Sequence, residues 1–336
     1  MSFTKEKRNR IINYIMEKID NDASDFCDHV CDAFEISVTT VRRYIKWLLE
    51  DGKIKADAEK KSGYSLQIKT WDFEYENTNL GEDIIFMEDI RPIVSRFPQN
   101  VQRIWYYAFT EMMNNAIDHS ESNEIFCRVN QNELYTEVVV MDKGIGIFNR
   151  IKMFLGSPSL QSAAFELYKG KLTTAPEAHS GEGIFFTSRI MDHFYIYSNG
   201  FVFNHNNLED EQYKPLGEDG TAVVLRLSNY SKKETKEVFD VFTSESGSFT
   251  KTEIPIKSIC EFGYPVSRSQ AKRLCNRFEK FSEVILDFAE VDEIGQAFAH
   301  EIFVVFQNRH PELKIIDKNA NSEVKKMINH ALSTNS

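Results

Sequence analysis

Four short motifs in a fixed order constrain this chain more than anything else in it. Glu111-Met-Met-Asn-Asn115 lies in a run with helical periodicity. Asp142-Lys-Gly144-Ile-Gly146 follows 27 residues after Asn115, at the end of the strand-like run "LYTEVVVM". Gly181-Glu-Gly183 comes 39 residues after Asp142 and opens a helical pattern, and Gly220-Thr221 comes 39 after Gly181 and opens a strand. A lone D-x-G-x-G or G-x-G is a weak signal; the ordered set is a strong one. Residues four apart on a helix share a face, so Glu111, Asn115 and Asp118 fall in one polar stripe. Trp105, Phe109, Met112 and Ala116 fall on another side, which is expected to be core.

In these residues the chain resembles the GHKL ATPases: gyrase, MutL, the large heat-shock chaperone, histidine kinases and anti-sigma-factor kinases. "EMMNNAIDHS" resembles their first box, "MDKGIGIF" the second, "HSGEGIFFTSRI" the third and "GTAVVLRL" the closing Gly-Thr strand, over roughly residues 78 to 230. The resemblance implies an α/β sandwich, a mixed sheet with helices on one face, that binds ATP and Mg²⁺. The residue types suit that chemistry. Mg²⁺ takes hard oxygen ligands and keeps several waters, so the Asn115 amide oxygen supplies one position and ATP phosphates others. Glu111, one turn earlier, is placed to accept a proton from the attacking nucleophile. An ionised Asp142 is an acceptor for the adenine amino group. Gly144 and Gly146 are expected to let backbone approach the base. Gly181 and Gly183 are expected to do so for phosphates, with free N–H groups at the helix start that follows. Thr221 resembles the Gly-Thr contact near adenine, and His119 and Asn114 are expected near the phosphates. The stretch "LYKGKLTTAPEAHSGEG" reads as a mobile loop and candidate lid. Its Lys169 and Lys171 are either solvated or within reach of the γ-phosphate. Glu111 fits a hydrolase, and anti-sigma serine kinases resemble the same pattern, so both reactions stay open. The only preceding histidine, His29, lacks a dimerisation-helix box, so histidine autophosphorylation is not expected. A homodimer is expected from fold analogy with gyrase and MutL alone.

The flanks read as separate units, with domains expected at 1–70, 71–235 and 236–336. In the first, Ile11, Tyr14, Ile15 and Ile19, then Phe26, Val30 and Phe34, recur at helical spacing. Ser37 is a candidate N-cap before a helix with Val38, Val41, Ile45, Leu48 and Leu49 inward, stopped by Gly52. Two extended arms around a charged tip follow, the layout of a winged helix-turn-helix. Its third helix offers Thr39, Thr40, Arg42, Arg43 and Lys46 to DNA, and its tip Lys60 and Lys61. Acidic Asp25, Asp28 and Asp32 leave a protein contact open as the other reading. Cys27-Asp-His29-Val-Cys31 has metal-like letters but no second pair nearby, and reads as two packed thiols.

The last 85 or so residues alternate β and α and resemble a STAS-like domain of unknown function that often accompanies GHKL ATPases. "GYPVSRSQAKRL", "VILDFAEVDEIGQAFAHEIF" and "VKKMINHA" carry that resemblance. Anti-anti-sigma factors of the STAS type are phosphorylated on a serine after the strand. Here Gly295, Gln296 and Ala297 stand at that turn, so a docking role is expected rather than a serine switch. Ser267 and Ser269 read as a helix cap and its neighbour.

Forty basic and 51 acidic residues give a net charge of −11, which argues against a surface wholly given to nucleic acid. Five scattered cysteines make no disulfide framework. No run approaches the ~18–20 apolar residues of a membrane span. The first fifteen residues turn amphipathic at once, so no secretory signal is expected and the reading is cytoplasmic. The whole reads as a three-domain α/β regulator in which Mg-ATP binding and slow hydrolysis gate DNA or partner binding. A Ser/Thr protein kinase and a non-catalytic ATP-sensing scaffold are the alternatives.

Overall fold

The computed structural model describes residues 3–173, 181–205, 219–259 and 265–333. Residues 174–180 of the candidate lid, and the acidic run after His205, lie outside these. Among the described residues the chain is an α/β protein with three separate sheets.

Helices Lys5–Asp20, Phe26–Phe34 and Val38–Glu50 pack around Ile11, Ile15, Val30, Val41 and Leu48, all fully buried. The Ser37 side chain accepts from the Thr40 N–H at 3.3 Å, capping the third helix as its sequence predicts. Gly52, at φ +65°, ends it. The inward stripe differs from the expected one. Val38 and Leu49 are each 38% exposed, and Tyr44 takes a place in the stripe. Leu49 is turned about 100° from Leu48, which already faces the core. Strands β1 (Ile54–Ala56) and β2 (Tyr64–Leu66) form an antiparallel ribbon on this bundle.

The central sheet holds β3 (Lys69–Glu76), β4 (Glu124–Gln131), β5 (Tyr135–Asp142), β6 (His193–Ser198), β7 (Phe201–Asn204) and β8 (Thr221–Ser228), in the order β3-β4-β5-β8-β6-β7. Every neighbouring pair is antiparallel, so the mixed sheet implied by the resemblance is corrected. The reason is the position of β8: it lies between β5 and β6, which run the same way and never meet. Period-2 alternation sends Val138, Val140, Phe194, Ile196, Val223 and Leu225 to one face. There they pack with the Gln99–His119 helix, whose Trp105, Phe109, Met112 and Ala116 are buried. The turn from β4 to β5 joins this sheet to the first bundle. Leu134 is buried in the bundle's core, and Glu133 meets Lys53 at 3.6 Å.

The third sheet is parallel, in the order β11-β10-β9, from β9 (Lys251–Pro255), β10 (Glu283–Asp287) and β11 (Lys314–Lys318). Helices Arg268–Cys275, Gln296–His300 with its continuation to Arg309, and Ser322–Ser333 bury Leu274, Phe298, Ile302, Val324 and Ile328 around it. Ser267 and Gln270 form a capping box. The apolar core runs unbroken from the central sheet into this one. Phe186 stacks on Phe239 at 4.0 Å, and Phe185, Phe249 and Phe281 continue the chain of rings.

Candidate functional site

The end of β5, the start of β8, the long Gln99–His119 helix and the start of the Gly183–Ile190 helix enclose a cavity of about 290 Å³. The motifs converge there. Glu111, Asn114, Asn115, His119, Asp142, Gly181, Gly183 and Thr221 all line it. Its apolar wall includes Ile147, Ile151, Leu172, Ile184, Ile196 and Val223.

Asp142 is paired with Thr221 across the β5–β8 ladder. Its Oδ1 accepts from the Gly144 N–H at 2.9 Å and the Thr221 N–H at 3.3 Å. Among the described residues Oδ2 accepts nothing, so one carboxylate oxygen is fixed and the other is left for a further donor. Burial raises the Asp142 pKa above the ordinary aspartate value, against the pull of those two N–H groups. The Thr221 hydroxyl accepts from the Ile147 N–H at 3.0 Å, tying β8 to the helix Ile147–Leu155.

Glu111 and Asn115 sit one turn apart on the cavity wall. The Glu111 carboxylate lies against the Cα of Gly183: a Cβ there would come 2.0 Å from Oε2. Gly181, at φ +72°, has the Leu172 backbone where its Cβ would be. Gly183 therefore lets the third motif close on the first, and Gly181 lets it close on Leu172.

Three placements differ from those expected. Asp118 is exposed and does not line the cavity. The stripe predicted from periodicity is narrower than the real wall, which runs through Asn115, Ala116 and His119. Gly144 and Gly146 also stay out of the cavity. A Cβ on Gly144 would lie 1.7 Å from the Ser120 carbonyl oxygen, and one on Gly146 would meet the Asn199 side chain at 2.3 Å. Their close approach is to the protein itself. Replacing Gly144 by Ala forces backbone apart, and we expect a loss of about 3 kcal/mol in a denaturant titration. A loss below about 0.5 kcal/mol contradicts this packing.

Lys169 and Lys171 follow neither expected reading. Lys169 is fully buried, with Nζ 2.7 Å from Glu166, and Lys171 Nζ donates to the Lys280 carbonyl at 2.7 Å. Both are committed to the C-terminal unit.

Sequence reasoning misses Arg150. It lines the cavity, and its Nη1 donates to the His119 carbonyl at 2.8 Å and to Glu121 at 2.9 Å. It thereby satisfies a carbonyl at the end of the long helix. Its position one turn after Gly146, on an amphipathic helix, is the available signal.

Away from the cavity, Arg42, Arg43 and Lys46 are exposed along one helix, and Lys60 and Lys61 on the ribbon tip. Thr40 is half-buried, its hydroxyl 3.1 Å from that of Ser37. Cys27 and Cys31 are half-buried against the bundle core. In the C-terminal unit, at the turn that follows β10, Gly295 packs on Val266, and Gln296 and Ala297 are exposed. Among the described residues no helix is long and apolar enough to cross a membrane, and no three His, Cys, Asp or Glu side chains gather as a metal cluster.

No curated protein matches this chain. Residues 270–325, from the Arg268–Cys275 helix through β10 and β11 to the last helix, match the family described as a STAS-like domain of unknown function.

Proposed function

We propose that the central cavity binds ATP with Mg²⁺, in the manner of the GHKL ATPases the sequence resembles, and that the chain hydrolyses it slowly. The observation that carries this reading is Asp142. A buried carboxylate with one oxygen fixed by two backbone N–H groups, at the end of an apolar slot, suits a flat base that donates an amino hydrogen. Adenine has that edge. Asn115 and Glu111 stand at the other part of the wall, beside the start of the Gly183–Ile190 helix, where free N–H groups favour phosphate.

A single neutral amide oxygen is a sparse metal set by itself, and it fits Mg²⁺ that is held mainly by phosphates and water. When bound, the ion, held in part by Asn115, would offset negative charge on the phosphates. The chain's own part in hydrolysis is then small and specific. Glu111 holds the attacking water and takes its proton, as the new O–P bond forms and ADP leaves. Gly183 leaves the Glu111 carboxylate room, and the apolar wall keeps bulk water from the base.

The first bundle is, in this reading, a winged helix-turn-helix with Arg42, Arg43, Lys46, Lys60 and Lys61 toward DNA, with Thr40 at the start of the same helix. Nucleotide state would gate DNA or partner binding through differential docking of the flanking units. Replacing Arg42 and Arg43 together by Ala is expected to weaken DNA binding and to flatten its log–log salt slope by about 2. An unchanged slope removes these residues from the interface and favours a protein partner for the bundle.

The reaction is tested with γ-labelled ATP and Mg²⁺, following free phosphate and protein-bound label together. Free phosphate supports hydrolysis. Label on serine or threonine of a partner moves the reading to a protein kinase. Saturable binding without either product leaves a nucleotide sensor and overturns the hydrolase.

A further inference from the structure

Two helices end beside each other where the central unit meets the C-terminal sheet, and each supplies the cation that caps the other. Lys169 ends the Leu160–Lys169 helix, and its Nζ donates to the carbonyls of Arg273 at 3.1 Å and Asn276 at 3.0 Å, at the close of the Arg268–Cys275 helix. Arg277, just beyond that helix, answers in the opposite direction. Its Nη2 donates to the carbonyls of Gly170 and Lys171, each at 2.7 Å. Glu166 stands between them, with Oε1 2.7 Å from Lys169 Nζ and Oε2 2.7 Å from Arg277 Nη1. All three side chains are buried: Lys169 0% exposed, Glu166 6% and Arg277 6%.

One carboxylate against two cations leaves an excess positive charge in a buried place. The four helix-end carbonyls offset it, because helix C-termini carry partial negative charge. The arrangement therefore holds only when both helix ends are in register. Arg277 is itself held at φ +70°, and Gly170 and Lys171 turn the chain at φ +75° and +50°. The two carbonyls that Arg277 binds come directly before Leu172 and Thr173, which line the cavity. Leu172 N–H in turn donates to the Gly181 carbonyl at 3.2 Å, and Gly181 lines it too.

The geometry points to Arg277, a residue of the STAS-like domain, as a positioning residue for the nucleotide site: it fixes the backbone that sets Leu172 against the cavity, so that nucleotide binding and docking of the C-terminal domain strengthen each other. This rests on the nucleotide reading above. Arg277 touches no ligand itself; it acts through Gly170 and Lys171. Coupling of this kind is reciprocal, since the factor by which docking tightens nucleotide binding is the factor by which nucleotide tightens docking.

The test uses the full chain, a fluorescent ATP analogue with Mg²⁺, and the variant Arg277→Lys. Lysine keeps the charge but lacks the fork that spans Glu166 and two carbonyls at once. The expected result is a folded variant whose dissociation constant is about tenfold higher. Wild-type affinity in a folded Arg277→Lys protein overturns the positioning role and leaves the nucleotide reading intact. If the wild type binds no analogue, the nucleotide reading fails, and the positioning role with it. A second measurement on the wild type stands even if the variant does not fold. Saturating ATP should slow amide hydrogen exchange in residues 268–277 at least severalfold, although none of them lines the cavity. Unchanged exchange there in an ATP-saturated protein overturns the coupling.

Discussion

Asp142→Asn is expected to weaken ATP binding by about 100-fold or more while leaving the protein folded. The change keeps the size of the side chain and an oxygen for the Gly144 and Thr221 N–H groups. What it removes is the second acceptor, which on the proposed reading becomes an amide donor facing the adenine amino group. Losing a hydrogen bond to a charged group and leaving a donor unmatched together amount to about 2.7 kcal/mol, or about two decades in affinity. Fluorescence titration of both proteins reads this directly, and equal affinities would remove Asp142 from the site. The same residue sets a pH dependence. Burial raises its pKa in the folded protein, so without ligand its contribution to stability is present below the unfolded value and is lost as pH rises through the folded one. On the proposed reading ATP needs the ionised form. Wild-type affinity should therefore fall as pH drops through the raised pKa, in milder acid than an exposed aspartate requires. Asp142→Asn should lack that step.

Glu111→Gln is expected to separate binding from turnover. The amide fills the same space beside Gly183 but takes no proton from water. Phosphate release should fall about 10²–10³-fold, the usual scale for removing a general base, with the ATP dissociation constant within about threefold of wild type. A variant that hydrolyses at the wild-type rate has its base elsewhere. One that loses binding and turnover equally shows that Glu111 orders the site rather than acting in the chemical step.

Much of the site is legible in the sequence because its parts are local. The Glu111–Asn115 spacing needs only a helix, and Asp142 needs only the end of a strand. The order of the motifs then suggests that they meet, and Glu111 does lie against Gly183, 72 residues away. What stays hidden is long-range. A glycine signals that something passes close, but not what: at Gly144 it is the Ser120 carbonyl, and at Gly146 it is Asn199. Lys169 and Lys171 read as loop lysines because nothing near them in sequence tells that another helix ends beside them. The mixed sheet comes with the family resemblance, and no local pattern corrects it by saying that β8 slots between β5 and β6. Val38 and Leu49 fit the apolar period, yet the bundle's partners reach only the side that carries Val41, Ile45 and Leu48.

The unbroken core gives the C-terminal unit its physical link to the cavity, and β5 gives the first bundle one. β5 carries Tyr135 against that bundle at one end and Asp142 at the other. The aromatic chain from Phe186 to Phe281 joins the helix at the cavity to the C-terminal sheet. A site placed between two such contacts is suited to report its occupancy in both directions.

Nucleotide binding itself is best decided by an equilibrium titration of the full chain with labelled ATP and Mg²⁺, with unlabelled ADP and GTP as competitors. Saturable binding at one site per chain is expected, displaced by ADP and not by GTP, because in the proposed site Asp142 would accept from an amino group that guanine does not present at that edge. Absence of saturable binding, or equal displacement by GTP, would contradict an adenine-specific site at Asp142.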